Sequence, residues 1–247
     1  MGRITDTVKA LIIANVLFFV GTMILGDYAY QLFSLWFFKN ENFQIWQIIT
    51  HMFMHGGFMH ILFNMYALWA FGSPIEQRLG QKKFLFFYFS CGIGAALIHS
   101  LVNYYQVESA YTALVNAGLN SIEIQNILDT GQFPNAILNS VSRDTVESMY
   151  TAYNTPAVGA SGAIYGVLVA FGMLFPNVEL FLIFVPVPIK AKYFIPVLIA
   201  IDLFSGVTGY SLFGGGIAHF AHVGGALFGF IMMYYWKKNQ FNQNRWD

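Results

Sequence analysis

The chain has 247 residues, 57% of them hydrophobic, 18% aromatic and only 10% charged, with 12 basic residues balanced by 12 acidic ones. Soluble domains carry about 25% charge, so a water-facing globule is excluded and lipid is the expected solvent. Zero net charge without a dense basic run excludes nucleic acid as a partner. The single cysteine, Cys91, leaves neither an intrachain disulfide nor a cysteine-type zinc site.

Six apolar runs follow in chain order, at residues 10–25, 57–71, 84–102, 157–175, 194–208 and 218–236. A spanning helix needs about 20 residues, and unpaired strand edges are not tolerated in lipid. The expected fold is therefore an all-α membrane protein, one six-helix domain over residues 1–247. Arg3 and Lys9 before the first run imitate a secretory signal, but no small-residue cleavage site follows, so this run is expected to be retained as a span. Between the first two runs, residues 26–56 hold Trp36, Phe37, Phe38, Phe43 and Trp46 among few charges. That composition suits a loop lying in the membrane interface.

Basic residues set the expected orientation. With the N-terminus inside, Arg3, Lys9, Arg78, Lys82, Lys83, Lys190, Lys192, Lys237, Lys238 and Arg245 fall on the inner side, leaving only Lys39 and Arg143 outside. This positive-inside bias predicts a multi-pass protein with both termini cytoplasmic, in a bacterial-type plasma membrane. A long polar insertion at 104–156 then lies on the outer side between the third and fourth runs. Within it, Val146, Met149, Tyr150 and Tyr153 recur at helical spacing after Ser142, predicting a short amphipathic helix.

In that topology the second, fourth and sixth runs all pass from outside to inside. Ser161 comes four residues into the fourth and His222 four into the sixth, roughly 6 Å below the helix starts at 1.5 Å per residue. His60 and Asn64 share a face at i, i+4 near the outer end of the second run. Small-residue stripes at Gly162, Gly166 and Ala170, and at Ala221, Gly225 and Gly229, would let two of these helices approach closely. A serine and a histidine brought together at one depth are a nucleophile and its base.

The strings Gly159-Ala160-Ser161-Gly162 and Ala221-His222-Val223-Gly224-Gly225 resemble the motifs of the rhomboid intramembrane serine proteases. His60-Ile61-Leu62-Phe63-Asn64 resembles the family's H-x-x-x-N motif, and Glu76-Gln77-Arg78-Leu79-Gly80 its inner turn, where Glu76, Arg78 and Gly80 are structural. Tyr165 matches the tyrosine that packs on the histidine, and Ile201-Asp202-Leu203-Phe204 the region entering the last outer loop. The resemblance implies a Ser161–His222 dyad without a third acid. It further implies His60 and Asn64 as oxyanion donors, Tyr165 as support for the imidazole, no cofactor and no metal. Its partners would be the bilayer and transmembrane protein substrates, cut near the outer face. A dyad without a third acid accords with the residues, since no outer-end carboxylate is evidently placed to orient His222, and Asp202 on the fifth run is the one candidate.

Two departures from the family pattern stand out. Trp46-Gln47 replaces the usual Trp-Arg, and a planar five-donor fork cannot be copied by an amide, so loop anchoring is expected to differ. The 104–156 insertion is long, and is expected to rest near the mouth of the site and tune access. Gly214, Gly215 and Gly216 permit a movable cap. His51 and His55 are expected to line an outer polar cavity, and His99 and His219 carry no assigned role. The competing readings are a catalytically silent rhomboid-like protein that binds membrane helices and a histidine-based transporter. Both dyad residues are present, against the first; midplane acids and broken spans are scarce, against the second.

Overall fold

The computed structural model describes residues 3–182, 185–210 and 217–243. Helix α1, Asp6–Leu25, ends at Gly26, whose φ of 58° is one that glycine adopts without strain. The following segment is not a featureless loop. It contains α2 (Asp27–Phe33), α3 (Gln47–Thr50) and a 3₁₀ turn at His51–Phe53.

The second apolar run forms α4 (Phe58–Ala67), a π turn (Leu68–Gly72) and α5 (Ser73–Leu79) as one rod. The π turn has a local cause. Pro74 has no N–H to give the preceding turn, and its ring would clash with the carbonyl four residues back, so the backbone opens there. At the far end Glu76 serves α1 rather than its own turn. Its carboxylate accepts the backbone N–H groups of Thr7 and Val8, both at 3.0 Å, and the Thr5 hydroxyl, filling the open start of α1. Arg78 is exposed, and Gly80, at φ 80°, reverses the chain into the next helix.

Helix α6, Gln81–Asn116, is 36 residues long. At 1.5 Å per residue it reaches about 54 Å, well beyond a hydrocarbon core of about 30 Å. The first part of the 104–156 segment is therefore helix, not loop. On its projecting end pack α7 (Ser121–Thr130), a 3₁₀ turn (Asn135–Asn139) and α8 (Arg143–Asn154). Asn120 and Glu123 form a reciprocal capping box at the start of α7, and Ser142 caps α8 through the Thr145 N–H. The buried faces of these pieces make a second core, separate from that of the bundle. It joins Val107 and Leu114 of α6 to Ile124, Ile127, Val146 and Met149, with Phe37 inserted from the loop after α1.

Helix α9, Ser161–Leu174, is short and buried on almost every side. A two-stranded antiparallel hairpin, β1 (Glu179–Leu182) and β2 (Val185–Lys190), links it to α10, Ala191–Thr208. This hairpin departs from the expectation of an all-helical chain. Pro186 and Pro188 cannot continue a helix but are tolerated in an edge strand. Helix α11, His219–Gln243, packs with α6 and α9 as the centre of the bundle. Among the described residues α1, α6 and α10 are each long and apolar enough to cross a membrane.

Glycines set the α9–α11 distance. A Cβ on Gly225 would run into the Gly162 carbonyl, and one on Gly229 would lie 2.6 Å from the Gly166 Cα. On the other side of α9, Gly162 faces Ala95 and Gly166 faces Cys91, while the Ala221 carbonyl lies beside Gly162. The two helices meet backbone to backbone, as small residues allow in lipid.

Candidate active site

Ser161 is the first residue of α9, rather than four residues into it. The chain before it is held extended by the bridge between Leu35 and Ala157. Gly159 then adopts φ 124°, which stops the helix from starting earlier. The Gly159 N–H donates to the His51 carbonyl at 2.9 Å, tying this turn to the loop after α1. At a helix's first position a backbone N–H has no intrahelical acceptor, so the Ser161 amide is a donor beside its own hydroxyl.

His222 lies on the first turn of α11, and its Nε2 is 2.8 Å from the Ser161 Oγ. Tyr165, one turn below Ser161 on α9, stacks on the imidazole with ring centroids 4.2 Å apart and planes 13° from parallel.

His60 approaches from α4. A Cβ placed on Gly159 would sit 2.8 Å from the His60 Nε2 and 3.5 Å from the Ser161 Oγ, so only glycine leaves room for the ring there. The Gly56 N–H donates to the His60 Nδ1 at 3.3 Å. Nδ1 is then the acceptor, and a neutral His60 carries its proton on Nε2, the nitrogen beside Gly159. His55 stands edge-on to His60 with centroids 5.1 Å apart, and is fully buried rather than lining a cavity. Asn64 is buried one turn further along. One N–H of its amide donates to the His60 carbonyl at 2.8 Å, and the second remains for another acceptor.

One acidic residue stands beside the imidazole. Asp202, on α10, is 4% exposed, and its Oδ1 lies 3.2 Å from the His222 Nδ1 and 2.5 Å from the His219 Nδ1. The Tyr165 hydroxyl donates to its other oxygen. His219, left without a role by the sequence, thus belongs to the site. The signal was present in the chain, since an aspartate within an apolar run is a functional suspect. His99 instead receives an N–H from Asn103 at 3.2 Å, one turn along α6. The Gly214–Gly216 stretch, read as a cap, lies outside the described residues. Among the described residues no group of three or more histidine, cysteine or carboxylate side chains is arranged to hold a metal ion.

Gln47 answers the departure from the Trp-Arg pattern. Fully buried, its amide donates to the carbonyls of Gln31 at 2.9 Å and Asn42 at 2.8 Å. Its oxygen accepts the N–H groups of Gln44 at 3.1 Å and Trp36 at 3.4 Å. One neutral amide therefore anchors both arms of the interfacial loop.

These features define an integral membrane protein of helical build with a serine–histidine pair among its packed helices. The model of the rhomboid domain matches residues 42–239, most of the chain, and the protein belongs to the rhomboid family of intramembrane serine proteases. It is similar to the rhomboid protease GlpG of Salmonella choleraesuis (strain SC-B67), 37% identical over 76 residues. That stretch is 30% of this chain and spans 28% of the relative's length.

Proposed function

We propose that the protein is an intramembrane serine endopeptidase that cleaves transmembrane protein substrates near the outer membrane face. The observation that carries this reading is the 2.8 Å contact between the Ser161 Oγ and the His222 Nε2, at the start of two helices in close backbone contact. Ser161 attacks the peptide carbonyl while His222 takes its proton, then returns it to the leaving amine. The developing oxyanion is met by the Ser161 N–H at the α9 terminus, the His60 Nε2–H and the free N–H of Asn64. Tyr165 holds the imidazole by stacking.

Depth supports this reading. Helix α9 has 14 residues, about 21 Å, shorter than a hydrocarbon core of about 30 Å, so non-helical chain beside it must complete the crossing. That shortness supports a reading in which Ser161 sits below the outer surface, where scission of a spanning substrate requires it; the N- and C-termini are cytoplasmic in this reading because the basic residues then gather on the inner side. A silent membrane-helix binder would have no use for the Ser161–His222 contact.

The test is reaction of purified protein with a fluorophosphonate, together with turnover of a model single-span substrate. Ser161→Ala should lose both activities while keeping its thermal unfolding profile. Cleavage within about tenfold of wild type would overturn the assignment, because losing a nucleophile costs orders of magnitude more.

A further inference from the structure

The carboxylate of Asp202 touches three side chains from two other helices, and the atoms involved limit what each can do. An ionised carboxylate only accepts hydrogen bonds. The His222 Nδ1, the His219 Nδ1 and the Tyr165 hydroxyl must therefore all be donors. For a neutral His222, this places the single ring proton on Nδ1. The lone pair of Nε2 is left facing the Ser161 Oγ, the arrangement a general base needs. Tyr165 stacks on the same ring and is itself tied to the same carboxylate. Edge and face of the imidazole are thus referred to one buried group on α10.

We propose that Asp202 is the positioning residue of the site, completing with Ser161 and His222 a serine–histidine–aspartate triad built across α9, α11 and α10, and that His219 holds the Asp202 carboxylate in place. This rests on Ser161 being the nucleophile. As the Oγ–carbon bond forms and the carbonyl electron pair moves onto oxygen, the hydroxyl proton passes to the His222 Nε2. The imidazolium so formed lies between Ser161 and Asp202, which stays ionised and stabilises the positive charge. Breaking the carbon–nitrogen bond then returns that proton to the leaving amine. Asp202 gains no proton and touches no substrate. His219 shares Oδ1 with His222, so the carboxylate cannot rotate away from the base without abandoning its shorter bond.

The test measures, for purified protein in detergent, the rate at which a small fluorophosphonate labels Ser161, and kcat and KM for a single-span substrate. Asp202→Asn should lower the labelling rate and kcat by ~10²–10⁴-fold, the scale of removing a triad acid while keeping its shape, and leave KM within about threefold. His219→Ala should lower kcat by roughly tenfold, and His219→Asn, which keeps an N–H donor, should recover most of it. A merely structural aspartate would raise KM and lower thermal stability alongside kcat.

Labelling of Asp202→Asn within about threefold of wild type, with Ser161→Ala unreactive, would overturn the triad and leave the serine–histidine pair standing. Labelling that survives Ser161→Ala would instead overturn the nucleophile. If Asp202→Asn does not fold, ¹⁵N spectra of histidine-labelled wild type, assigned with His222→Ala, decide the matter. A neutral His222 protonated on Nδ1 supports the proposal, and one protonated on Nε2 refutes it.

Discussion

Gln47 shows how much one side chain decides in a membrane protein. In a site closed to water, each unpaired amide hydrogen or carbonyl costs about 1–3 kcal/mol, and Gln47 satisfies groups on both arms of the interfacial loop. A neutral amide does this without the counter-charge that an arginine would need. Gln47→Ala is expected to lower stability by about 2–3 kcal/mol, read as a fall in the unfolding midpoint in detergent. His60 and Asn64 act at the other end of the same logic. Their donors are expected to bind most strongly as the oxyanion forms. His60→Ala and Asn64→Ala should each reduce kcat by ~10²–10³-fold with little change in KM, in steady-state cleavage assays. A rise in KM at constant kcat would make them substrate-binding groups instead.

Among the elements, the α9–α11 contact and the outer insertion have opposite characters. The first tolerates nothing larger than hydrogen, because the Gly162 carbonyl occupies the space beside Gly225. Gly225→Val must force the helices apart, and a misplacement of about 1 Å between reacting groups costs on the order of 10²-fold in rate. We expect that loss in fluorophosphonate labelling, in a protein that still inserts. The insertion packs against the projecting end of α6 and the interfacial loop. Tyr153 donates its hydroxyl to the Lys39 carbonyl at 2.9 Å, the Asn40 amide donates to the Tyr153 carbonyl at 3.0 Å, and Phe37 enters its core. The exposed Lys39–Glu108 ion pair adds less than these, since surface pairs contribute about 0–1 kcal/mol. Replacing the 119–154 stretch by a short Gly/Ser linker should leave Ser161 labelling intact. It should raise hydrogen exchange over residues 34–43 and alter cleavage of large substrates. Loss of labelling in a folded protein would show that the insertion supports the site directly.

For the whole molecule, the asymmetry of lysine and arginine predicts which side each loop occupies. Single cysteines replacing Arg143 and Lys190, in a Cys91→Ala background, should react with an impermeant maleimide from opposite sides of the membrane. Arg143 should be reached from outside and Lys190 only after lysis. Labelling of both from one side would reject the six-span arrangement. The hairpin before α10 fits an inner boundary position, with Phe181 and Val187 exposed beside Lys190.

The sequence by itself determined those features that are local or periodic. Apolar runs became helices because lipid leaves the backbone no other partner. The serine and histidine motifs were legible because polar groups are rare in such runs, and the α8 helix because its cap and its buried face lie within twelve residues. Tertiary structure alone decided the rest. Nothing local says that α6 continues past residue 104, because its outer end is stabilised by partners brought in from α7 and α8. The glutamate of the inner turn caps a helix that starts some 70 residues earlier. Asp202 meets His222 and Tyr165 only because the short α9 is enclosed between α10 and α11. Periodicity reports which face of a helix avoids water, but not which neighbour it meets. In lipid, where most faces are apolar, that choice falls to glycine contacts and buried polar pairs that only the assembled bundle brings together.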